Sequence, residues 1–465
     1  MIFSSLLFMF IYLPVTLAVY YFVPLKARNA VLFAVSLLFY GWGEPVYILL
    51  MLASITLNYF AGLLVEKYRG EEKKVKLVLA LTVVLNLAAL FFFKYFDFFA
   101  VNLSKLPFIN IPKLGLELPI GISFYTFQAM SYPIDVWRKD GQTQKNYVSF
   151  GAFVTLFPQL IAGPIIRYKD VDDQLKFRRH SWGKFSSGAS RFTVGLCKKV
   201  LLANGIGRLW DSVAATDLGE LSVMGAILGV IAFSFQIYFD FSGYSDMAIG
   251  LGRMLGFEFL ENFNYPYTAK SITDFWRRWH ISLSVWFRDY VYIPLGGNRC
   301  SPFKHYRNIF IVWALTGFWH GANWNFLIWG IYFAVLLMIE KAVLSKPLEK
   351  APVWVGRVYT LILIAISWCI FAIEDASRLF GYLGVMFGLK GAPFADAAFL
   401  HDLRSYGVML VILGIASTPL LKNLYAKIPL RIRIWTTPVL IIAGLTVCTA
   451  YLVDSTYNPF LYFRF

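Results

Sequence analysis

Long apolar runs recur through the whole chain, and no other feature constrains its fold so tightly. They fall at about 2–23, 30–42, 46–65, 75–101, 119–137, 148–166, 192–210, 223–241, 309–339, 354–373, 406–421 and 435–453. A helix crossing a bilayer needs about 20 apolar residues. Inside hydrocarbon each backbone N–H and C=O must be paired within the protein, which leaves helices or a closed barrel. Runs of this length select helices, so the chain is expected to be all-α and polytopic. No linker, low-complexity tract or clear repeat separates the runs, and one integral-membrane domain over 1–465 is the expectation.

Charge supports the same reading. Only 15% of the 465 residues are charged while 58% are hydrophobic, far from the soluble norm of about 25% charged. The net charge of +16 invites a nucleic-acid role, but the lysines and arginines sit in short clusters between apolar runs. Cytoplasmic loops of membrane proteins carry that pattern, and no nucleic-acid partner is expected. Cys197, Cys300, Cys369 and Cys448 form no C-x-x-C, so they read as small apolar fillers rather than a disulfide framework or zinc cluster. The first run has neither a positive flank nor a small-residue cleavage site, and it reads as a retained first helix rather than a signal peptide.

Assigning sides by positive charge exposes segments that cannot simply cross. The loops around Lys26 and Arg28, from Lys67 to Lys76, from Arg138 to Lys145, and from Arg167 to Arg191 all favour the cytoplasm. Run 148–166 lies between the last two, and its Pro158, Gly163 and Pro164 suit a re-entrant hairpin buried in protein. The acidic loops near Asp217 and Glu220, and near Asp396 and Asp402, fall outside on this count, as do both termini. The expected location is a plasma (inner) membrane, crossed many times and in contact with its lipids.

The stretch 271–330 sets two of the chain's five histidines, His280 and His320, among tryptophans, with His305 an ordinary loop residue between them. On a helical period Trp276, His280, Leu283 and Phe287 share one face, which predicts an interfacial or re-entrant helix. Run 309–339 is about 31 residues, roughly 46 Å as helix against a core of about 30 Å. It is predicted to turn back at GFWHGANWN (317–325), which would lift His320 to about the bilayer midplane. An ionisable group at that depth is a functional candidate by default. Burial disfavours the charged imidazolium, so a neutral ring able to accept a proton is expected there; a core histidine tied to a backbone carbonyl is the plain alternative. His280 is either a second catalytic histidine or a polar atom satisfied at the interface. No third ligand stands at metal spacing, so no metal is expected.

Three other constellations stand out. FSFQIYFDFSGYSDMAIG (233–250) carries Asp240 and Asp246, and buried carboxylates pair with a cation or line a polar cavity; a helix-end carboxylate is the alternative. GLGRMLG (250–256) lacks dinucleotide spacing and reads as close helix packing. Gln128, Asp135 and Arg138 either line a tunnel or bond between helices. Arg277, Arg278 and Arg288 are candidates for donor phosphates, although inside-positive topology explains most of them.

The strings FWRRWHIS and GFWHGANWN, with LPIGISFYTFQ, FPQLIAGPIIRY, FQIYFDFSGYSDMAIG, ENFNYPY, MIFSSLLFMFIYLP and the terminal YNPFLYFRF, resemble the membrane-bound O-acyltransferase family over almost the whole chain. FDFSGYSDMAIG and YIPLGGNR favour its alginate-type branch. The resemblance implies a ring of about 11 to 13 transmembrane helices and re-entrant segments around a central tunnel. It places the family's catalytic histidine on His320 and the second motif histidine on His280. It further implies acetyl-CoA as cosubstrate, a polysaccharide acceptor and an extracytoplasmic acetyltransferase partner protein. Within that reading Asn323 is the candidate for steadying the oxyanion, and Asp240 is a second positioning candidate. A D-alanyl transferase for teichoic acid, and a transporter or flippase with a His/Asp proton relay, are the alternatives.

Overall fold

The structure is a computed structural model, and it describes residues 1–161, 163–389, 391–454, 457–459 and 461. Among the described residues every regular element is helical. Among the described residues seven helices are long and apolar enough to cross a membrane: Ile48–Lys67, Glu72–Leu103, Val223–Met254, Trp324–Lys350, Val353–Ala372, Ala397–Ala416 and Leu430–Asp454. Other apolar runs form shorter or broken helices. The first run forms a shorter apolar helix, Phe8–Phe22. Run 148–166 splits into Tyr147–Thr155 and Phe157–Leu160, with Leu156 between them. Run 309–339 also divides, as described below.

Contacts gather the helices into two compact units, Met1–Phe192 with Ser245–Leu260, and Thr193–Tyr244 with Glu261–Phe465. The first unit is knitted by small residues and amides. Gly62 faces the Tyr132 ring so closely that a Cβ there would lie 2.2 Å from it. Asn58 and Asn86, both buried, exchange amide hydrogen bonds of 3.0 and 3.1 Å between neighbouring helices. Asp246 accepts from Arg191 at 2.7 Å, so this carboxylate pairs with a cation as expected. The glycines of 250–256 also pack as expected, since a Cβ on Gly250 would stand 2.6 Å from the Gly188 carbonyl. Gln128 and Asp135 bond to backbone, Gln128 to the Phe153 carbonyl and Asp135 to the Lys169 N–H.

The second unit carries the 271–330 stretch. The turn-back is present: Pro302–His320 ends at Gly321, and Trp324–Ile339 returns against it. Two glycines let the backbones touch. A Cβ on Gly317 would lie 2.4 Å from the Phe326 carbonyl oxygen, and one on Gly330 would lie 2.4 Å from the Trp313 carbonyl oxygen. The return helix is tied to Val353–Ala372 by Tyr332, whose hydroxyl donates to the Leu363 carbonyl at 2.9 Å. Cys197 and Cys448 were expected to be separate apolar fillers, yet their sulfurs stand 3.6 Å apart as free thiols.

The single interfacial helix expected through His280 is not formed. Ile272–Trp276 and Ile281–Phe287 are separate short helices, and His280 between them has φ 45° and ψ 51°. Left-handed backbone costs a residue with a side chain about 1–2 kcal/mol, so periodicity alone could not foresee the break. Trp276, expected to share a face with His280, instead packs on Trp313 and Phe333, with ring centroids at 4.6 and 4.8 Å.

Replacing Gly317 with alanine should cost about 1–3 kcal/mol, because the added methyl overlaps backbone that has no rotamer to yield. In a thermal melt of the purified chain in detergent, the midpoint is expected to fall by several degrees. Gly414→Ala is the control, since nothing lies within 4 Å of its would-be Cβ, and its midpoint should not fall.

Candidate active site

His320 is the last residue of its helix, 8% exposed. Its ring is held edge-on by Trp319, Trp329 and Phe371, with centroids at 5.0, 5.0 and 5.4 Å. It lines a cavity of about 20 Å³, room for about one water molecule. Phe241, Trp279, Trp329, Trp368 and Phe371 form an aromatic wall, and Ile237, Asp240 and Leu461 complete it. A water-poor site of this kind strengthens any hydrogen bond made inside it.

His280 is also buried but does not line that cavity. Its ring meets Phe241 edge-on at 4.7 Å, and Trp319 at 6.1 Å. Trp319 therefore touches both imidazoles. The left-handed turn at His280 is held by Asn262, whose backbone carbonyl accepts from Ile281 N–H at 3.0 Å. The Asn262 side-chain oxygen accepts from Ser282 twice, at 3.2 Å from N–H and 2.9 Å from the hydroxyl. The same oxygen lies 3.2 Å from His280 Nδ1. Since this oxygen can only accept, Nδ1 carries the proton and Nε2 is the ring's acceptor.

The other predicted residues divide. Asp240 is at the cavity, and its carboxylate meets Lys199 at 2.6 Å and the Leu461 N–H at 3.0 Å. It is thus a paired buried carboxylate, and not a helix-end group at the interface. Asn323 is placed elsewhere: its oxygen accepts from Trp324 N–H at 2.6 Å, and its amide donates to Glu374 at 3.2 Å. It caps the return helix and is not among the cavity's lining residues. Asn325 donates to the Ile370 and Phe371 carbonyls, at 3.3 and 3.0 Å, satisfying a neighbouring helix end rather than orienting His320. Arg278 and Arg288 have carboxylate partners, Asp274 and Asp289, each at 2.8 Å. Arg277 is exposed.

Sequence reasoning missed Lys199, Asn262 and Leu461. A signal existed for the first two. Lys199 is a cation inside run 192–210, where an ionisable group calls for a partner, and Asn262 sits in ENFNYPY. Leu461 falls in YNPFLYFRF, of which Phe460 and 462–465 lie outside the described residues.

The model of the MBOAT, or membrane-bound O-acyltransferase, family matches residues 46–380. A probable alginate O-acetylase of Pseudomonas putida is 41% identical over the full length of both chains. A peptidoglycan O-acetyltransferase of Helicobacter pylori is 34% identical over 84% of this chain and 80% of its own. A teichoic acid D-alanyltransferase of Bacillus subtilis is 30% identical over 50% of this chain and 63% of its own.

Asn262→Ala removes one acceptor from three buried donors, and each unsatisfied donor costs about 1–3 kcal/mol. The melting midpoint should drop well below that of Asn264→Ala, whose exposed side chain lies two residues along. Equal midpoints would show that the His280 turn does not depend on Asn262.

Proposed function

The chain belongs to the membrane-bound O-acyltransferase family and is an acyltransferase, and from that premise we propose that it takes acetyl from cytosolic acetyl-CoA and delivers it across the membrane for O-acetylation of an exported polysaccharide. The recipient in this reading is an extracytoplasmic acetyltransferase partner that modifies the polymer. The chain sits in the plasma membrane with both termini outside. The acetyl reading is supported over D-alanyl transfer by the relatives: the O-acetyl-named ones match across most or all of the chain, and the D-alanyl-named one across half.

The observation that carries the proposal is the buried imidazole of His320 at the wall of an aromatic cavity. A neutral alcohol is a poor nucleophile, and a positioned base takes its proton as the oxygen attacks. His320 accepts the hydroxyl proton while the oxygen bonds to the thioester carbonyl carbon. The C–S bond then breaks, and the proton passes to the departing thiolate, so no metal is needed. His280 acts at one remove, bracing Trp319 against His320. Asp240 positions rather than donates, since its carboxylate only accepts. Among the described residues the buried indole N–H groups of Trp329 and Trp368 have no hydrogen-bond partner and both rings line the same cavity; of the two, Trp329 packs directly on His320, with ring centroids 5.0 Å apart. We assign it the oxyanion role in place of Asn323, whose amide is engaged at the turn. Arg277, exposed, is the most available of the three arginines for donor phosphates.

His320→Ala in the purified chain should abolish release of thiol from acetyl-CoA while the melting midpoint stays within a few degrees. Unchanged turnover would sink the base role. Trp329→Phe keeps a ring but deletes the N–H, and should lower kcat by about ten- to a thousandfold, with KM for the donor little changed.

A further inference from the structure

One lining side chain of the His320 cavity comes from the C-terminal segment. That segment is strapped down at successive residues. Tyr457 donates its hydroxyl to Asp211 at 2.5 Å, under the Arg208 guanidinium at 5.5 Å from its ring. The Asn458 side-chain oxygen accepts from Asn204 at 3.1 Å. Lys199 Nζ donates to the Pro459 carbonyl, and Asp240 accepts the Leu461 N–H at 3.0 Å.

Lys199 and Asp240 are thus paired with each other and with the strap at once. Their side chains are 2% and 4% exposed, and a charge pair so deeply desolvated persists only when its remaining hydrogen-bonding capacity is met. The strap's backbone meets part of it, through the Leu461 N–H to Asp240 and the Pro459 carbonyl to Lys199. The consequence at the far end is positional: Leu461, 6% exposed, is set against the space beside His320.

The rest of that wall cannot easily give. Trp368 is locked between Trp279 at 4.9 Å and Phe371 at 5.8 Å, and Trp329 packs on Phe371 at 5.4 Å. Leu461 is an aliphatic side chain that no aromatic neighbour of that wall locks, and its size therefore decides how much room the cavity has. At about 20 Å³ that room is about one water molecule's, so an acetyl group already has to press the wall back and each further methylene presses it further, at Leu461 first.

We propose that Leu461, held in place by the Lys199–Asp240 pair, sets the upper size of the acyl group accepted beside His320. This rests on the acyl-transfer reading above. Leu461 is the specificity-determining residue, and Lys199 and Asp240 are positioning residues that act through the strap.

The test is a donor-length series on the purified full chain: acetyl-, propionyl- and butyryl-CoA, with thiol release measured and melting followed in parallel. Wild type is expected to prefer acetyl. Leu461→Ala should raise the butyryl-to-acetyl ratio at least tenfold, within the range by which apolar pockets discriminate methylenes. Leu461→Val should fall between the two, and serves if the alanine variant does not fold. The paired variant Lys199→Met with Asp240→Asn removes both charges together, and should shift the same ratio upward by unpinning the strap. A purely structural role for the pair would move the melting midpoint and leave the ratio alone. Leu461→Ala that turns over acetyl-CoA with an unchanged length profile overturns the proposal. A folded wild-type chain that turns over none of the three donors overturns the acyl-transfer reading, and the size limit with it.

Discussion

The approach of two backbones at Gly317 and Gly330 is the contact on which the site depends. Neither position has room for a side chain, and their contact lets a helix ending in His320 reverse into one beginning at Trp324. A histidine at the end of a helix that ran on through a membrane would face whatever packed beside it. At a turn between two touching helices it is surrounded by rings from several elements, Trp329 on the return helix and Phe371 on the helix behind it among them. Small residues that admit close helix packing are the usual currency of membrane interiors, where water gives no hydrophobic push between helices.

Polar groups then decide the detail. Three asparagines of the second unit meet partners that fix a bend or an end: Asn262 the left-handed turn at His280, Asn325 the end of Val353–Ala372, and Asn323 the start of the return helix. Glu340 does the same for the short helix Ile272–Trp276, its carboxylate taking the Ile272 and Thr273 N–H groups at 2.7 and 2.8 Å. A carboxylate is favoured at that helix end because the unsatisfied N–H groups carry partial positive charge. An aromatic cavity is soft in outline but is framed by these fixed points.

Much of this was legible in the amino-acid sequence where length or composition carried it. The 309–339 run is too long for one crossing, so the reversal and the position of His320 at it followed from arithmetic. That Asp240 and Asp246 call for a cation or a polar cavity followed from the cost of burying charge, and the packing role of Gly250 from spacing, whereas which cation would answer did not. The break at His280 did not, because helical periodicity assigns a face without testing φ. Asn323 was misplaced for a related reason: an asparagine beside a candidate base reads as a donor, whereas the helix that starts one residue later claims its oxygen first. Lys199 and the Pro459 carbonyl it bonds are 260 residues apart, as Asp240 and the Leu461 N–H are 221 apart, and pairing over such separations leaves no local pattern.

The exchange of amide bonds between Asn58 and Asn86 bears on how such a chain is assembled. The two residues are 28 apart, on consecutive helices joined by a short loop. Each amide left alone in lipid would carry unmet donors and acceptors, while the reciprocal pair meets them in one register of the two helices. That pair is complete once the second helix has entered the bilayer, so the first membrane hairpin can lock its register while the histidine-bearing half of the chain is still being synthesised.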